Sequence, residues 1–316
     1  MPHLGRGQVT MNTMARKGVS RRTLNEWYWG WFLIAPTILG LVILNIIPIV
    51  QTAYLSLFKS GDFGKGNVFI GLDNYRTLYA DTQAWNAVAN TLLYTLMVVP
   101  ISIAIALLIA VMLNRNIAGK SMYRTVYFIP LVAAPAAVTM VWRWMYNSNF
   151  GLINRILTEL GMKPVNWTTD PNIALISISV IGIWSIIGYN MVLFLAGLQE
   201  IPRVYYEASE IDGASKIRQF FVITLPLVSP TLFFVLVTSI IQSMQVFDVI
   251  YMMIDVMNPA YQKTVSLVYL FYNNSFKYAN KGYGSAIVML LLGIIMIITI
   301  IQVMIQQKWV KYMQED

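Results

Sequence analysis

"EASEIDGASKIRQFFVITLP" fills residues 207–226 and lies between two long apolar runs. It gathers Glu207, Glu210, Asp212, Lys216 and Arg218 in one loop of a chain that is 57% hydrophobic and only 11% charged. Soluble domains carry roughly 25% charged residues. Most of this chain's surface therefore need not face water, and the charged stretch reads as a break between membrane-embedded segments.

Its residues predict a compact local unit. Pro202 suits the first turn of a helix, where its missing N–H costs nothing. Residues 203–212 then make about three turns. Gly213 can take the left-handed conformation that closes a helix, and Ser215 can cap the next one. The chain re-enters the apolar phase through Phe220 and Phe221, with Pro226 in the early turns. On the short helix Val204, Ala208 and Ile211 share one face, beside a second face of Tyr205, Ser209 and Asp212. A small residue at the centre lets another backbone approach closely, as a docking helix requires. The same pattern also fits a solvated loop stiffened by neighbouring side-chain pairs.

Working outward, a helix needs about 20 apolar residues to cross a hydrocarbon core of roughly 30 Å. Six runs meet this length, near 29–58, 88–113, 126–146, 173–198, 220–241 and 285–305. The first contains Pro36 and Pro48, which predict a tilt or kink, and the fifth could run on to Met253. The first run is too long for a signal peptide and has no small-x-small cleavage site, so it is expected to remain as a span.

Lys and Arg set the orientation. They are denser in the N-terminal tail, the 114–125 loop, the 199–219 loop and the C-terminus than in the intervening loops. Those four segments are therefore expected on the cytoplasmic side, with both termini inside. Residues 1–26 read as a basic cytoplasmic tail without order, 27–308 as the six-span domain with its charged loop at about 200–226, and 309–316 as a short cytoplasmic C-terminus. The net charge of +8 sits in loops beside apolar runs. That placement fits the surface of membrane lipids rather than a nucleic acid.

Composition removes several chemistries. The chain has no cysteine and one histidine, His3. Thiolate catalysis, disulfides, cysteine metal sites, HExxH zinc sites and Ser-His-Asp triads are excluded. "AGKS" at 118–121 is not a phosphate-binding loop, because Asn114 stands where the first glycine is required and no strand is expected before it. No cofactor and no catalytic set is expected. A membrane enzyme would need converging acid, base or metal-binding groups, and a sensor a sizeable soluble domain.

Polar side chains at membrane depth are costly unless they face a cavity or one another. Tyr189 and Asn190 interrupt the fourth run, and Ser239, Gln242, Ser243, Gln245 and Asp248 crowd the end of the fifth. Amides and carboxylates suit sugar hydroxyls, and aromatic faces suit the C–H surface of a sugar ring. Helix–helix hydrogen bonding is the competing explanation.

Glu207-Ala208, then Gly213, then Ile223-x-Leu225-Pro226 resembles the EAA signature of permease subunits in binding-protein-dependent ABC importers. Ser209 replaces the usual alanine at the third position. "GLDNYRTLY" at 71–79, "WNAVANTLLYT" at 85–95, "FDVIYMM" at 247–253 and "GYGSA" at 282–286 resemble the carbohydrate-type permeases of the maltose-importer group. The family's Gly-Gly-Pro after the fifth span is replaced here by "DVMNPAY" at 255–261.

The resemblance covers about residues 27 to 308. It implies an all-α integral membrane protein with the type I ABC importer fold, in a bacterial or archaeal cytoplasmic membrane. It also implies a sister permease subunit, ABC ATPase subunits that supply the ATP hydrolysis, an extracytoplasmic solute-binding protein and a carbohydrate substrate. A glycerol-phosphate-type substrate is the alternative, disfavoured because no Lys or Arg cluster lies at membrane depth. By the same resemblance Glu207, Ala208, Ser209, Asp212 and Gly213 form the helix that seats on the ATPase. Tyr189, Ser239, Gln242 and Ser243 fall at or near cavity-lining positions. Asn190, Gln245 and Asp248 join them on polarity alone.

Overall fold

The computed structural model describes residues 21–59, 68–115 and 118–314. The expected tail at 1–20 and the glycines of the 60–67 loop lie outside the described residues. Two compact units divide at Gln51.

The first unit holds α1 (Arg21–Leu41), a π-helical turn (Val42–Ile46) and the start of α2 (Ile47–Leu55). Residues 21–26, expected in the tail, are therefore helical. A proline ring clashes with the carbonyl four residues earlier. For Pro48 that carbonyl belongs to Leu44, within the wider π turn, which opens the helix at that point.

The second unit begins with a two-residue hairpin, β1 (Phe58–Lys59) against β2 (Val68–Phe69). There follow α3 (Asp73–Ala80) and the 32-residue α4 (Thr82–Leu113), whose first turn is capped by Asp81 accepting from the Gln83 N–H. Next come α5 (Lys120–Val132), α6 (Pro135–Met145), α7 (Leu152–Glu159) and α8 (Ala174–Gln199). The charged loop forms α9 (Arg203–Ile211) and α10 (Lys216–Gln219). A second π turn (Phe220–Thr224), α11 (Leu225–Leu227), α12 (Ser229–Met244) and α13 (Asp248–Met253) carry the fifth run. The chain ends with α14 (Leu267–Tyr272) and α15 (Lys281–Gln314).

Among the described residues five segments are long and apolar enough to cross a membrane, and α5 with α6 makes a sixth if the pair crosses once. That pair corrects the sequence reading. The run at 126–146 was expected as one helix, yet α5 and α6 meet at 97°. One proline explains the break. Ala134 precedes Pro135 and takes an extended backbone (ψ 132°), because the proline ring disfavours helix in the residue before it. Pro135 then starts α6 at a position where no N–H is needed.

The fifth run does continue to Met253 as one span, although the helix is interrupted between Met244 and Asp248. Its π turn spans Val222, the carbonyl that Pro226 would strike, which repeats the device used ahead of Pro48. The last helix continues through Gln314, across most of the stretch read as a C-terminal tail.

Lipid tails are as apolar as these side chains, so close packing and hydrogen bonds hold the bundle together. α8 is its centre. A Cβ on Gly188 would stand 1.9 Å from the Tyr127 carbonyl oxygen, so α5 crosses α8 backbone to backbone. Asn90 on α4 donates to the carbonyls of Gln262 (3.0 Å) and Val265 (3.1 Å), which pins the segment leading into α14. The interior divides into two apolar clusters. One surrounds Ile178, Ile181, Met244 and Ile287. The other surrounds Ala106, Met191, Phe194 and Val235 and reaches Ile201, next to α9.

Candidate functional site

The α9 loop is built by local chemistry. Gly213 has φ +74°, the left-handed conformation. Its N–H bonds the Glu210 carbonyl at 3.0 Å, and the Ala214 N–H bonds the Ser209 carbonyl at 2.9 Å. This pair of bonds closes the helix in a Schellman motif. Ser215 then accepts from the Arg218 N–H at 3.3 Å and starts α10. Pro202 stands one position earlier than expected, as the extended residue before α9.

Four side chains tie α9 to the base of the fifth run. Gln219 is buried and donates to Ser209 Oγ at 2.9 Å and to the Tyr206 carbonyl at 3.4 Å. Ser209 Oγ in turn donates to the Tyr206 carbonyl at 2.8 Å. The Tyr206 hydroxyl and Thr224 Oγ1 share a hydrogen bond of 3.0 Å. Ser209 is therefore more than a small residue, because an alanine there could not receive Gln219. Sequence reasoning missed Tyr206, Gln219 and Thr224. The available signal was a glutamine at the mouth of an apolar span.

The other face of α9 has no partner among the described residues. Val204 is 61% exposed and Ile211 87% exposed, and Glu207, Ala208, Asp212 and Gly213 are exposed with them. A Cβ on Gly213 would meet nothing within 4 Å, so its requirement for glycine within this chain is conformational alone. Glu210 pairs with Lys216 across the turn. The hydrogen bond from Lys216, aided by its charge, holds the Glu210 carboxyl below the usual carboxylate range.

A second site opens where the two broken runs meet α8. A cavity of about 390 Å³ is enclosed by the α5–α6 elbow, Tyr94 of α4, Ser185 and Tyr189 of α8, and the stretch from Gln242 to Val249. Breaks in membrane helices free backbone and side chains to line such spaces. Tyr189, Gln242, Ser243, Gln245 and Asp248 all face it. Ser243 Oγ is buried there without a hydrogen-bond partner. Phe247 lines the same space, and its ring stacks on Tyr251 at 5.0 Å with Tyr272 5.2 Å away.

Asn190 and Ser239 do not line the cavity. They are 0% and 1% exposed. Asn190 Nδ2 donates to Ser239 Oγ at 3.1 Å, which cross-links α8 to α12. Each satisfies the other, so both are packing groups. Tyr94, Ser185 and Phe247 are the lining residues that sequence reasoning missed.

Residues 82–311 match the family model described as "Binding-protein-dependent transport system inner membrane component". The chain is 32% identical to the trehalose/maltose transport system permease protein MalF of Thermococcus litoralis, over 86% of this chain and 91% of that one. It is 33% identical to the sn-glycerol-3-phosphate transport system permease protein UgpA of Agrobacterium fabrum, over 89% and 96%. A chain of a bacterial ABC transporter involved in the import of the acidic polysaccharide alginate has the same fold. That likeness has a TM-score of 0.78 at 21% identity and covers 91% of this chain and 99% of the other.

Proposed function

The chain belongs to the family of binding-protein-dependent transport system inner membrane components, and from that membership we propose that it moves an oligosaccharide or related polar solute through the cavity beside Tyr189 and Gln242. It is an integral membrane permease subunit of an ABC importer. In this reading α9 is the seat of the ATPase on the cytoplasmic side. A sister permease completes the membrane pathway, and a solute-binding protein delivers from outside.

One observation carries the reading. The exposed helix α9 is hydrogen-bonded through Ser209–Gln219 and Tyr206–Thr224 to the start of the fifth run. That run ends in the cavity at Gln242, Ser243 and Gln245. A push on α9 thus reaches the solute through one run of helix. The cavity supports a neutral polar solute over a phosphate. Its lining offers amides, hydroxyls, a carboxylate and aromatic rings, and no Lys or Arg among the described residues.

Reconstituted importer given labelled maltose-type oligosaccharides and labelled glycerol phosphate tests the choice. Uptake of an oligosaccharide with none of glycerol phosphate is expected. The reverse result overturns the substrate reading and leaves the permease assignment standing.

A further inference from the structure

A second polar cavity, of about 620 Å³, lies at the other end of the fifth run. Pockets of this size hold small ligands. Its polar lining comes from Asn114 and Arg115 after the end of α4, Gln199 at the end of α8, Arg203 and Tyr206 of α9, Lys216 and Gln219 of α10, and Thr224, over an apolar floor of Val111, Leu198, Ile201 and Phe220. No carboxylate lines it. Lys216 is taken by Glu210. Among the described residues no ion pair uses Arg115 or Arg203, and both side chains are exposed. Two guanidinium-bearing residues without an ion pair among the described residues therefore line one cavity, with the amide side chains of Asn114 and Gln199.

Guanidinium is the side chain best matched to phosphate, because its planar fork gives paired, charge-assisted hydrogen bonds. The cavity's position indicates the source. It is ringed by the ends of α4 and α8 and by the start of the fifth run, so it lies where apolar spans give way to headgroups. Cytoplasmic leaflets carry anionic lipids that attract basic side chains at this depth.

We propose that this cavity binds the phosphate group of an anionic membrane lipid, and that the bound headgroup braces α9 against the end of α4 through Arg203 and Arg115. The headgroup would enter between three span ends, with its tails running along the bundle. Its phosphate would join a helix that contacts the ATPase to a helix that does not. The proposal rests on α9 lying at the cytoplasmic surface, as the functional reading has it.

The test uses the assembled importer in nanodiscs of phosphatidylcholine with or without phosphatidylglycerol. Native mass spectrometry counts the phosphatidylglycerol retained after delipidation. The wild-type chain should retain phosphatidylglycerol tightly. Arg115→Gln and Arg203→Gln should each weaken retention roughly tenfold, the scale of one charged hydrogen-bonded contact. Arg115→Lys should keep part of it, and Lys120→Gln, outside the cavity, should change nothing. Retention in Arg115→Gln equal to wild type overturns the proposal. So does displacement of the lipid by inorganic phosphate, which would make the free anion the ligand. ATPase co-purification with Arg115→Gln is followed in parallel and should fall severalfold with the lost brace; unchanged co-purification beside lost lipid overturns the bracing role. A wild-type complex that holds the lipid but not the ATPase would refute the coupling role of α9 and leave the lipid site intact.

Discussion

The α9 loop and the cavity beside Tyr189 are both polar exceptions in an apolar chain, and they are built in opposite ways. The loop is local: its cap, its turn and its anchors all come from residues 203–224. The cavity is assembled from α4, two helix breaks and α8, with lining residues as far apart as Tyr94 and Val249. The loop leaves apolar side chains exposed, while the cavity keeps an unpartnered hydroxyl, Ser243 Oγ, buried. Each leaves unfinished what a partner would complete: a protein surface for α9, a solute for the cavity. Breaking the loop should therefore act on the ATPase, and breaking the cavity on solute affinity.

The largest effect is expected at Gly213. A β-branched residue at φ +74° meets a backbone cost of about 1–2 kcal/mol. It is relieved only by opening the two bonds that close α9. Gly213→Val should lower ATPase co-purification and solute-stimulated ATP hydrolysis by roughly tenfold or more, while Gly213→Asn, which tolerates this conformation, should be mild. Equal loss in both variants would mean that bulk at the partner's surface, and not the backbone, sets the requirement.

Gln219→Leu sharpens the comparison, because it removes one of the two links between the loop and the span, leaving the Tyr206–Thr224 bond, without touching the exposed face. It removes the bond that the Ser209 hydroxyl accepts, while the Tyr206 carbonyl keeps its bond from Ser209, a local cost of about 0.5–1.5 kcal/mol. The ATPase should still co-purify, and its stimulation by solute should fall severalfold. Normal stimulation would show that the signal takes another route.

The cavity divides its residues by the same logic. Gln242→Ala should raise the half-saturating solute concentration roughly fivefold, about 1 kcal/mol for one lost hydrogen bond, with basal ATP hydrolysis unchanged. Asn190→Ala should leave affinity alone and lower thermal stability by about 0.6–1.7 kcal/mol, the scale of an interhelical bond in a membrane. If Asn190→Ala weakens affinity as Gln242→Ala does, the buried pair with Ser239 is not its role.

These two residues show where the sequence stops being readable. Tyr189 and Asn190 are neighbours, yet a helix turns by about 100° per residue, so one faces the cavity and the other α12. Ser239 and Ser243 lie one turn apart on the same face of α12, and depth alone separates the packing serine from the lining one. Depth and facing are set by where α8 and α12 cross, which no local pattern encodes. The α9 unit was legible because its glycine and cap act within a few residues. The α5–α6 elbow was not legible: the run at 126–146 read as one span because its apolar length masked the break at Pro135. Gln219 was passed over because its partners, Tyr206 and Ser209, lie a turn and a helix away.

The smallest effect is expected at the exposed Lys216–Glu210 pair, since surface pairs contribute little. The Glu210 carboxyl is held below its ordinary range, so its contribution is present above the unfolded value and fades as pH falls through the lowered folded one. Lys216→Met should leave neutral-pH coupling intact and remove only that acid-side fading, read as amide hydrogen exchange across residues 203–214. A large neutral-pH defect would make the pair a contact with the ATPase.

The central claim is that the exposed face of α9 meets the ATPase. The chain has no native cysteine, so Ile211→Cys introduces a single thiol on that face. In intact cells it should resist an impermeant thiol reagent, and in membranes of the assembled importer it should cross-link to the ATPase subunit. Labelling from outside the cell, or cross-linking to the solute-binding protein, would contradict the account.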